Sequence, residues 1–378
     1  MNDPVREVIC LLGLPFDVVT MDETVRRVRD AVRARQRLFL STPNLNFLIG
    51  CQRDAAFRQS VIDSDLSIAD GMPLVWISRW LGTPLPERVT GSGLFERLRD
   101  EPAPPGHEPI KVYFFGGPPG AAEAAGRSLN TRPGGMVCVG YETPGFGSID
   151  EMSSQDVLDR INASGADFLI VALGAVKGQA WIQRNRTHLL ASVISHLGAV
   201  VNFAAGTVSR APRWVQRAGL EWLWRIKEEP ALWRRYWRDA LALSGLFFGK
   251  LLPHGLWLRR WRRAGLSAVA PEVMLRQEAD VARLLIRGVI PDPLPASMRA
   301  TLQQAGELDM PLALDMTQAR SFGLELAGSL LLLERALAAR PRSLRVVGLS
   351  TPIKQLLNWN DLHFYLARSD ASPQDQCW

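Results

Sequence analysis

The sequence predicts an α/β protein: a parallel sheet flanked by helices up to about Gly206, a basic helical segment after it, and a second, small α/β unit towards the C-terminal end. Three observations carry this. Short apolar runs alternate with amphipathic ones as far as Gly206, the signature of consecutive βα units. Between Thr207 and Arg263, thirteen Lys and Arg stand against four Asp and Glu, a surplus of nine in a chain whose formal net charge is +6. From about Val273 the alternation begins again. The expected domains are therefore residues 1–206, 207–266 and 272–378, with Ser267–Pro271 as a linker.

In the first domain, strands are expected at Val8–Leu12, Leu38–Ser41, Leu66–Ala69, Val112–Phe115, Val137–Val139, Phe168–Leu173 and Val200–Phe203. Amphipathic segments such as Met21–Ala34 and Ala121–Leu129 lie between them. Several strands run into a small or polar turn: Thr42-Pro43-Asn44, Asp70-Gly71, Gly116-Gly117, Gly174-Ala175 and Gly206. Open α/β sheets bind ligands at the carboxyl ends of their strands, so these turns outline one crevice. The second domain holds seven of the twelve tryptophans, between Trp214 and Trp261, and reads as helical. Its most apolar stretch, Ala240–Gly249, is interrupted by Lys250, Pro253 and His254 and reads as too short to span a bilayer. In the third domain Arg283–Val289, Pro311–Asp315 and Leu344–Gly348 read as strands, and Ala296–Ala305, Leu324–Ala339 and Thr351–Trp359 as helices.

A hydrophobic share of 47% against 22% charged residues supplies ample material for a core. The four cysteines, Cys10, Cys51, Cys138 and Cys377, lack CxxC spacing, which argues against a zinc site or a disulfide framework. The early apolar run Val8–Val19 is broken by Pro15 and Asp17 and has no small-residue cleavage site. A cytoplasmic protein with reduced thiols is the expectation. The five histidines show no metal-ligand spacing.

Asp70 is the strongest candidate for chemistry. It directly follows an apolar run, so its carboxylate projects into the crevice, where it suits general-base work. It also suits capping of the following helix. Thr42 and Asn44 offer a hydroxyl and an amide at another strand end, or simply make a turn. Gly116 and Gly117 precede a helix and suit a phosphate there, although neither GxGxxG nor a P-loop is present. Asp63-Ser64-Asp65 spells DxD but precedes a strand, and is read as a solvated turn, so no metal and no cofactor are expected. The Trp/Arg segment fits nucleic acid, a membrane surface or an ordinary helical pack. Its apolar patch near Phe247-Phe248, flanked by basic clusters, fits an anionic membrane surface better than a nucleic-acid groove.

Five runs occur in a telling order: Thr42-Pro43-Asn44, Ala69-Asp70-Gly71-Met72-Pro73, Glu87-Arg88-Val89-Thr90-Gly91, Ala205-Gly206-Thr207-Val208-Ser209-Arg210-Ala211-Pro212, and Gly219-Leu220-Glu221-Trp222 with Arg225, Pro230, Arg234 and Arg235. Together, over roughly residues 8 to 240, the chain resembles the WecG/TagA/CpsF glycosyltransferases, glycosyltransferase family 26. The resemblance implies a Rossmann-like domain with a basic helical appendage. It implies a metal-independent, inverting transfer from a UDP-sugar, typically N-acetylmannosamine, to an undecaprenyl-diphosphate-linked sugar in surface polysaccharide synthesis. It further implies that Asp70 is the base, with Thr42, Asn44 and Arg88 in the active site. Gly116, Gly117, Gly174, Gln179, Arg210, Arg225, Arg234 and Arg235 are then expected to bind substrate, and the appendage to close the site and hold the enzyme at the inner membrane face.

Two departures stand out. The family reads G-x-P-x-Q-E where this chain has Gly174-Ala175-Val176-Lys177-Gly178-Gln179, and T-G-x-D where it has Thr90-Gly91-Ser92-Gly93. They leave the donor sugar open. They also admit an alternative, a catalytically impaired relic acting as a scaffold. The C-terminal unit resembles a STAS domain through Leu312–Asp315, the helix after Glu325, Leu344–Gly348 and Thr351–Leu357. That resemblance implies protein docking or self-association. Glu325-Leu326-Ala327-Gly328 stands where regulated members carry a phosphorylated serine, so no phospho-switch is expected there.

Overall fold

The computed structural model describes residues 6–131, 134–145, 147–206, 211–212, 215, 219–228, 230–264, 270–340 and 342–370. Its packing divides the chain into two compact units. One comprises Val19–Leu74 and Pro86–Ala242; the other comprises the residues before Val19, Val75–Leu85, and everything from Leu243 onward.

The first unit is built on a six-stranded, wholly parallel sheet. In chain order the elements are α1 (Met21–Arg33), β3 (Leu38–Ser41), α2 (Leu45–Cys51), α3 (Ala55–Ile62), β4 (Leu66–Ser67), the start of α4 (Met72–Leu81), α5 (Gly91–Asp100), β5 (Ile110–Gly116), α6 (Ala121–Asn130), β6 (Met136–Glu142), α7 (Gln155–Ala163), β7 (Phe168–Ala172), α8 (Ala175–Asn185), β8 (Val193–His196), α9 (Gly198–Ala204), α10 (Glu221–Glu228) and α11 (Trp233–Leu246). The strand order is β4-β3-β8-β7-β5-β6. Successive strand residues point to opposite faces, so each strand feeds two cores. Val112, Phe114, Phe168 and Ile170 join one core with α1, α5, α6 and α9. Tyr113, Phe115, Leu169 and Val171 join the other with α7 and α8. Continuous apolar strands are what a sheet covered on both faces requires.

The second unit contains the hairpin β1 (Val8–Leu11) and β2 (Leu14–Asp17), then β9 (Glu272–Gln277), β10 (Ala282–Ile290), α13 (Ala296–Glu307), β11 (Leu312–Asp315), β12 (Ala319–Phe322), α14 (Leu324–Ala339), β13 (Leu344–Val347), α15 (Thr351–Trp359) and α16 (His363–Asp370). Strands β12, β10, β11 and β13 are parallel neighbours, and β9 adds antiparallel to β10. α12 (Leu252–Ala264) belongs to this unit as well.

Three sequence expectations change. Val8–Leu12 does not enter the parallel sheet; it pairs antiparallel with β2 and packs on α14. Arg6 anchors the hairpin with two 2.7 Å bonds to Asp17. Val200–Phe203 is helical, because the run just before it, Val193–His196, takes the place beside β3. Its β-branched residues are then buried as the inner face of a helix, a case of tertiary context overriding propensity. The apolar run at Ala240–Gly249 does not stop at Lys250. One helix continues from Trp233 to Trp261 through a π-turn at Phe247–Leu251, and by length and composition it is long and apolar enough to cross a membrane. Lys250 continues it by pairing with Asp361, and His254 by stacking on Trp359 at 5.6 Å. Trp233, Trp237, Leu241, Phe248 and Leu256 remain exposed along it.

The hairpin and α14 meet at close range. A Cβ on Gly328 would stand 2.2 Å from the carbonyl oxygen of Val8. Gly328→Ala is therefore expected to destabilise the protein by roughly 1–3 kcal/mol, the usual cost of overpacking, measured by urea unfolding. An unchanged midpoint would mean that the hairpin yields without cost.

Candidate active site

The carboxyl ends of β4, β3, β8, β7 and β5 lie side by side along one sheet edge. After β3 the chain leaves by α2 and α3 on the α8 side, whereas after β8 it leaves by α9 on the α6 side. Adjacent strands whose connections depart to opposite faces open a crevice between them.

Asp70 stands at this edge, just past β4. Its N–H donates to the Pro43 carbonyl at 2.9 Å, and the Ala69 carbonyl accepts from Val89 N–H at 3.1 Å, so its turn is strapped on both sides. Its Oδ2 accepts from Gly91 N–H at 3.2 Å, at the start of α5 and not of the helix that follows Asp70. The carboxylate therefore does not cap the helix that follows it. The side chain keeps some solvent contact, yet the protein packed around it raises its pKa from the ordinary 3.8 to about 6. Desolvation is the largest cause, opposed by the Gly91 bond and by Arg88 and Arg225, and reinforced by Glu221.

Arg88 forms a close ion pair with Glu221, the first residue of α10. One turn along, the Arg225 guanidinium lies over the Phe203 ring at 5.8 Å, and its buried Nε–H finds no acceptor among the described residues. Arg235 lies over Tyr236 at 5.2 Å, and its Nε is likewise buried without a partner among them. Arg234 is exposed beside Trp233. Arg210 lies outside the described residues.

Thr42 is buried against Gly91, where an added Cβ would come within 3.2 Å of its Cγ2 and 2.5 Å of Leu197 Cδ2. Gly91 thereby lets the start of α5 approach β3. Asn44 caps α2, its Oδ1 accepting from Phe47 N–H at 3.1 Å, which leaves its NH2 group as the part available to a ligand. Gly116 and Gly117 both hold left-handed backbone (φ +100° and +90°), and a Cβ on Gly116 would meet the Ala172 carbonyl at 2.7 Å. Neither α6 nor α8, which starts after Gly174, has a side-chain N-cap; Ala121 N–H of α6 donates to the Pro118 carbonyl at 3.0 Å, and the remaining first-turn N–H groups of the two helices suit an anion.

The structure separates Gln179 from the other candidates. It is fully buried, its Nε2 donating to Ser41 Oγ at 3.0 Å and its Oε1 having no partner. Asp63 and Asp65 are occupied structurally. Asp63 accepts from Gln59 and Gln183, and Asp65 accepts from Phe39 N–H at 2.9 Å. Gly93 donates its N–H to the capping Thr90 hydroxyl at 3.0 Å, and a Cβ there would sit 2.7 Å from that oxygen. Sequence reasoning gave no weight to two residues that the structure places near these candidates, Glu221 beside Arg88 and His196 at the end of β8. Glu221 was visible only as part of a motif. His196 was set aside for lack of ligand spacing, although it ends an apolar strand run and stands two residues before a glycine.

A family model described as "Glycosyl transferase WecG/TagA/CpsF family" matches residues 9–255. Two curated bacterial proteins, each named N-acetylglucosaminyldiphosphoundecaprenol N-acetyl-beta-D-mannosaminyltransferase, are similar to this chain. The one from Bacillus spizizenii is 29% identical over 198 residues, spanning 52% of this chain and 74% of its own. The one from Staphylococcus aureus strain MW2 is 26% identical over 230 residues, spanning 60% and 86%. A solved structure described as a complex of SsGBP and GDP covers 70% of this chain at 13% identity; its TM-score of 0.21 carries no argument.

Burial of Asp70 has a consequence for stability. Below about pH 4 the residue is protonated whether the chain is folded or not. Above about pH 6 the folded protein holds a poorly solvated carboxylate that the unfolded chain would hydrate freely. The residue's favourable contribution is thus present at low pH and lost as pH rises through 6. Asp70→Asn is expected to be more stable than the parent at pH 8 by up to about 3 kcal/mol, with the gap closing towards pH 4. Equal melting temperatures across that range would show that the site hydrates Asp70 fully.

Proposed function

The chain belongs to the WecG/TagA/CpsF glycosyltransferase family, and on that premise we propose that it transfers a sugar from a UDP-sugar to a polyprenyl-diphosphate-linked sugar, inverting the anomeric centre without a metal. It is a glycosyltransferase. The two relatives are named for transfer of N-acetylmannosamine to an N-acetylglucosaminyl-diphospho-undecaprenol. The observation that carries the reading is Asp70: a carboxylate at the crevice, not spent on its own helix, with a pKa raised to about 6.

Such a group is ionised at neutral pH and more basic than a free aspartate. It accepts the proton of the acceptor's attacking hydroxyl as that oxygen bonds the anomeric carbon of the donor. UDP departs from the opposite face, which inverts the centre. The diphosphates involved carry the charge that Arg88, Arg225 and Arg235 are suited to meet, and the unmatched Nε–H groups of the latter two support this role. The sheet edge provides a ruler. Neighbouring strands lie about 4.8 Å apart, so the order Asp70, Thr42 and Asn44, His196, Gly174, Gly116 and Gly117 spans the length of a nucleotide-sugar. The attacking hydroxyl belongs beside Asp70, the reacting carbon lies between that hydroxyl and the pyrophosphate oxygen it is bonded to, and the pyrophosphate is directed towards the start of α8.

In this reading the enzyme lies on an anionic membrane surface at the cytoplasmic face, where its lipid-linked acceptor resides, in surface or exopolysaccharide synthesis. The exposed Trp233, Trp237, Leu241 and Phe248, interleaved with Arg234 and Arg238, support a helix lying in the interface. The contacts of Lys250 and His254 with the C-terminal residues favour that over a span. The C-terminal unit, whose STAS resemblance rests on pattern, serves as a docking or self-association module. Nucleic acid plays no part.

Purified protein should release UDP from at least one UDP-sugar when given a lipid-diphosphate acceptor. Asp70→Asn should lower that rate by about 10²–10⁴-fold. The rate should fall below about pH 6, where Asp70 is protonated, and should be indifferent to a chelator. No release from any donor, with nucleotide still bound, would mark a scaffold descended from a transferase. Activity lost to EDTA and restored by magnesium would return Asp63 and Asp65 to consideration. Co-sedimentation with anionic vesicles should weaken with salt and with Trp237→Ser; unchanged binding would move the membrane contact elsewhere.

A further inference from the structure

We infer that His196 reads the sugar of the donor, and that position 178 is glycine in order to seat its imidazole. The inference rests on the glycosyl-transfer reading above and assigns a specificity residue to it.

The first support is strand geometry. Val193 and Ile194 of β8 point to opposite cores, Ile194 into the one that holds α8. Two residues further on, His196 points to the same side as Ile194. It therefore rises from the last position of a central strand towards the first turn of α8. Ser41, one residue beyond the paired Leu40 and Ser195, does the same and meets Gln179.

The second support is steric. A Cβ on Gly178 would stand 2.4 Å from His196 Cδ2, closer than real Cβ contacts come, and a tight 3.1 Å from its Cγ. A Cβ on Gly198, across the ring, would stand 3.2 Å from Nε2. Glycines thus flank the imidazole on two sides. Any larger residue at 178 must displace the ring, so the two positions are one design: the side chain missing from α8 is supplied by β8.

The third support is an unmet hydrogen bond. His196 is 8% exposed, and its Nε2 is buried without a partner among the described residues. A buried polar atom left unpaired is costly and calls for a reason, of which a bound group that completes its hydrogen bond is one. Burial also lowers the imidazole pKa to about 4, so the ring is neutral at physiological pH. A neutral imidazole offers one donor and one acceptor and no charge, which suits a sugar hydroxyl or acetamido group and gives no advantage to a phosphate. Its place on the edge agrees. It stands between Thr42 and Asn44, next to Asp70, and Gly174, whose helix start suits the pyrophosphate; that interval belongs to the sugar ring.

The test separates UDP from UDP-sugar by calorimetric titration, with no turnover required. Wild type, His196→Ala, His196→Gln, Gly178→Ala and the double variant Gly178→Ala/His196→Ala would be titrated with UDP, UDP-hexoses and UDP-N-acetylhexosamines. His196→Ala should weaken the preferred UDP-sugar about tenfold, in line with loss of one well-placed hydrogen bond, while UDP alone binds as to wild type. Gly178→Ala should do the same, and the double variant should be no worse than His196→Ala, since both changes remove one interaction. His196→Gln, which keeps a donor and an acceptor, should retain sugar discrimination or shift it between hexose and N-acetylhexosamine. In turnover, donor KM should rise and acceptor KM stay unchanged. Equal loss for UDP and UDP-sugar, no loss for either, or additive effects of Gly178→Ala and His196→Ala would overturn the assignment. Wild type binding no UDP-sugar at all would instead bring down the glycosyl-transfer reading and this inference with it.

Discussion

A carboxylate held against a largely desolvated sheet edge is the constraint around which this site is built. In the proposed transfer Asp70 must be ionised to accept a proton, and burial opposes that. One amide, Gly91 N–H, and two guanidiniums, those of Arg88 and Arg225, pull its pKa down, while Glu221 and the surrounding protein push it up. The balance near 6 is narrow, and each contributor comes from a different element. Gly91 opens α5, Arg88 lies in the loop before it, and Glu221 and Arg225 share the short helix α10. The site is therefore assembled by packing, and the Arg88–Glu221 pair ties the basic appendage to the loop beside the base.

Parallel-strand register does the rest of the positioning. Because side chains alternate, the identity of one strand residue fixes which core its neighbour joins. Phe39 and Ile194 lie on the α8 side, and so, two residues on, do Ser41 and His196. Two polar residues consequently face the start of one helix. There Gln179 satisfies Ser41, and Gly178 makes room for His196. On the role inferred for His196, glycine at 178 and the ring from the neighbouring strand together keep a polar group at the crevice. Gly93 differs in kind. Its N–H completes the Thr90 cap.

The chain also crosses between its two compact units more than once. The N-terminal hairpin and Val75–Leu85 pack with the C-terminal residues, not with the parallel sheet that lies between them in sequence. Gly328 lets α14 approach the hairpin so closely that an added Cβ would stand 2.2 Å from the Val8 carbonyl oxygen. Thr83 donates to Asp292 Oδ2 at 2.6 Å, and the same carboxylate accepts from Leu324 and Glu325 N–H at the start of α14. A small α/β unit of this size gains from any extra apolar surface that it can bury, and the hairpin, with Ile9, Leu11, Leu14 and Phe16 all fully enclosed, supplies it.

The sequence by itself determined the alternation of elements, the crevice-forming turns, the prominence of Asp70 and the basic, Trp-rich segment. These are local properties: apolar period, a polar residue after a strand run, and charge density. Helices Leu324–Ala339 and Thr351–Trp359 were legible to the residue for the same reason. Only the tertiary structure decided which of two neighbouring β-branched runs, Val193–His196 or Val200–Phe203, would be the strand, because both suit a buried strand and only one place beside β3 was open. It alone decided that the apolar run at Ala240–Gly249 would continue past Lys250, since Asp361, 111 residues away, accepts that charge. And it alone brought His196 to Gly178. No local pattern encodes a ring filling the space of a missing side chain, because the two residues share a volume, not a stretch of chain.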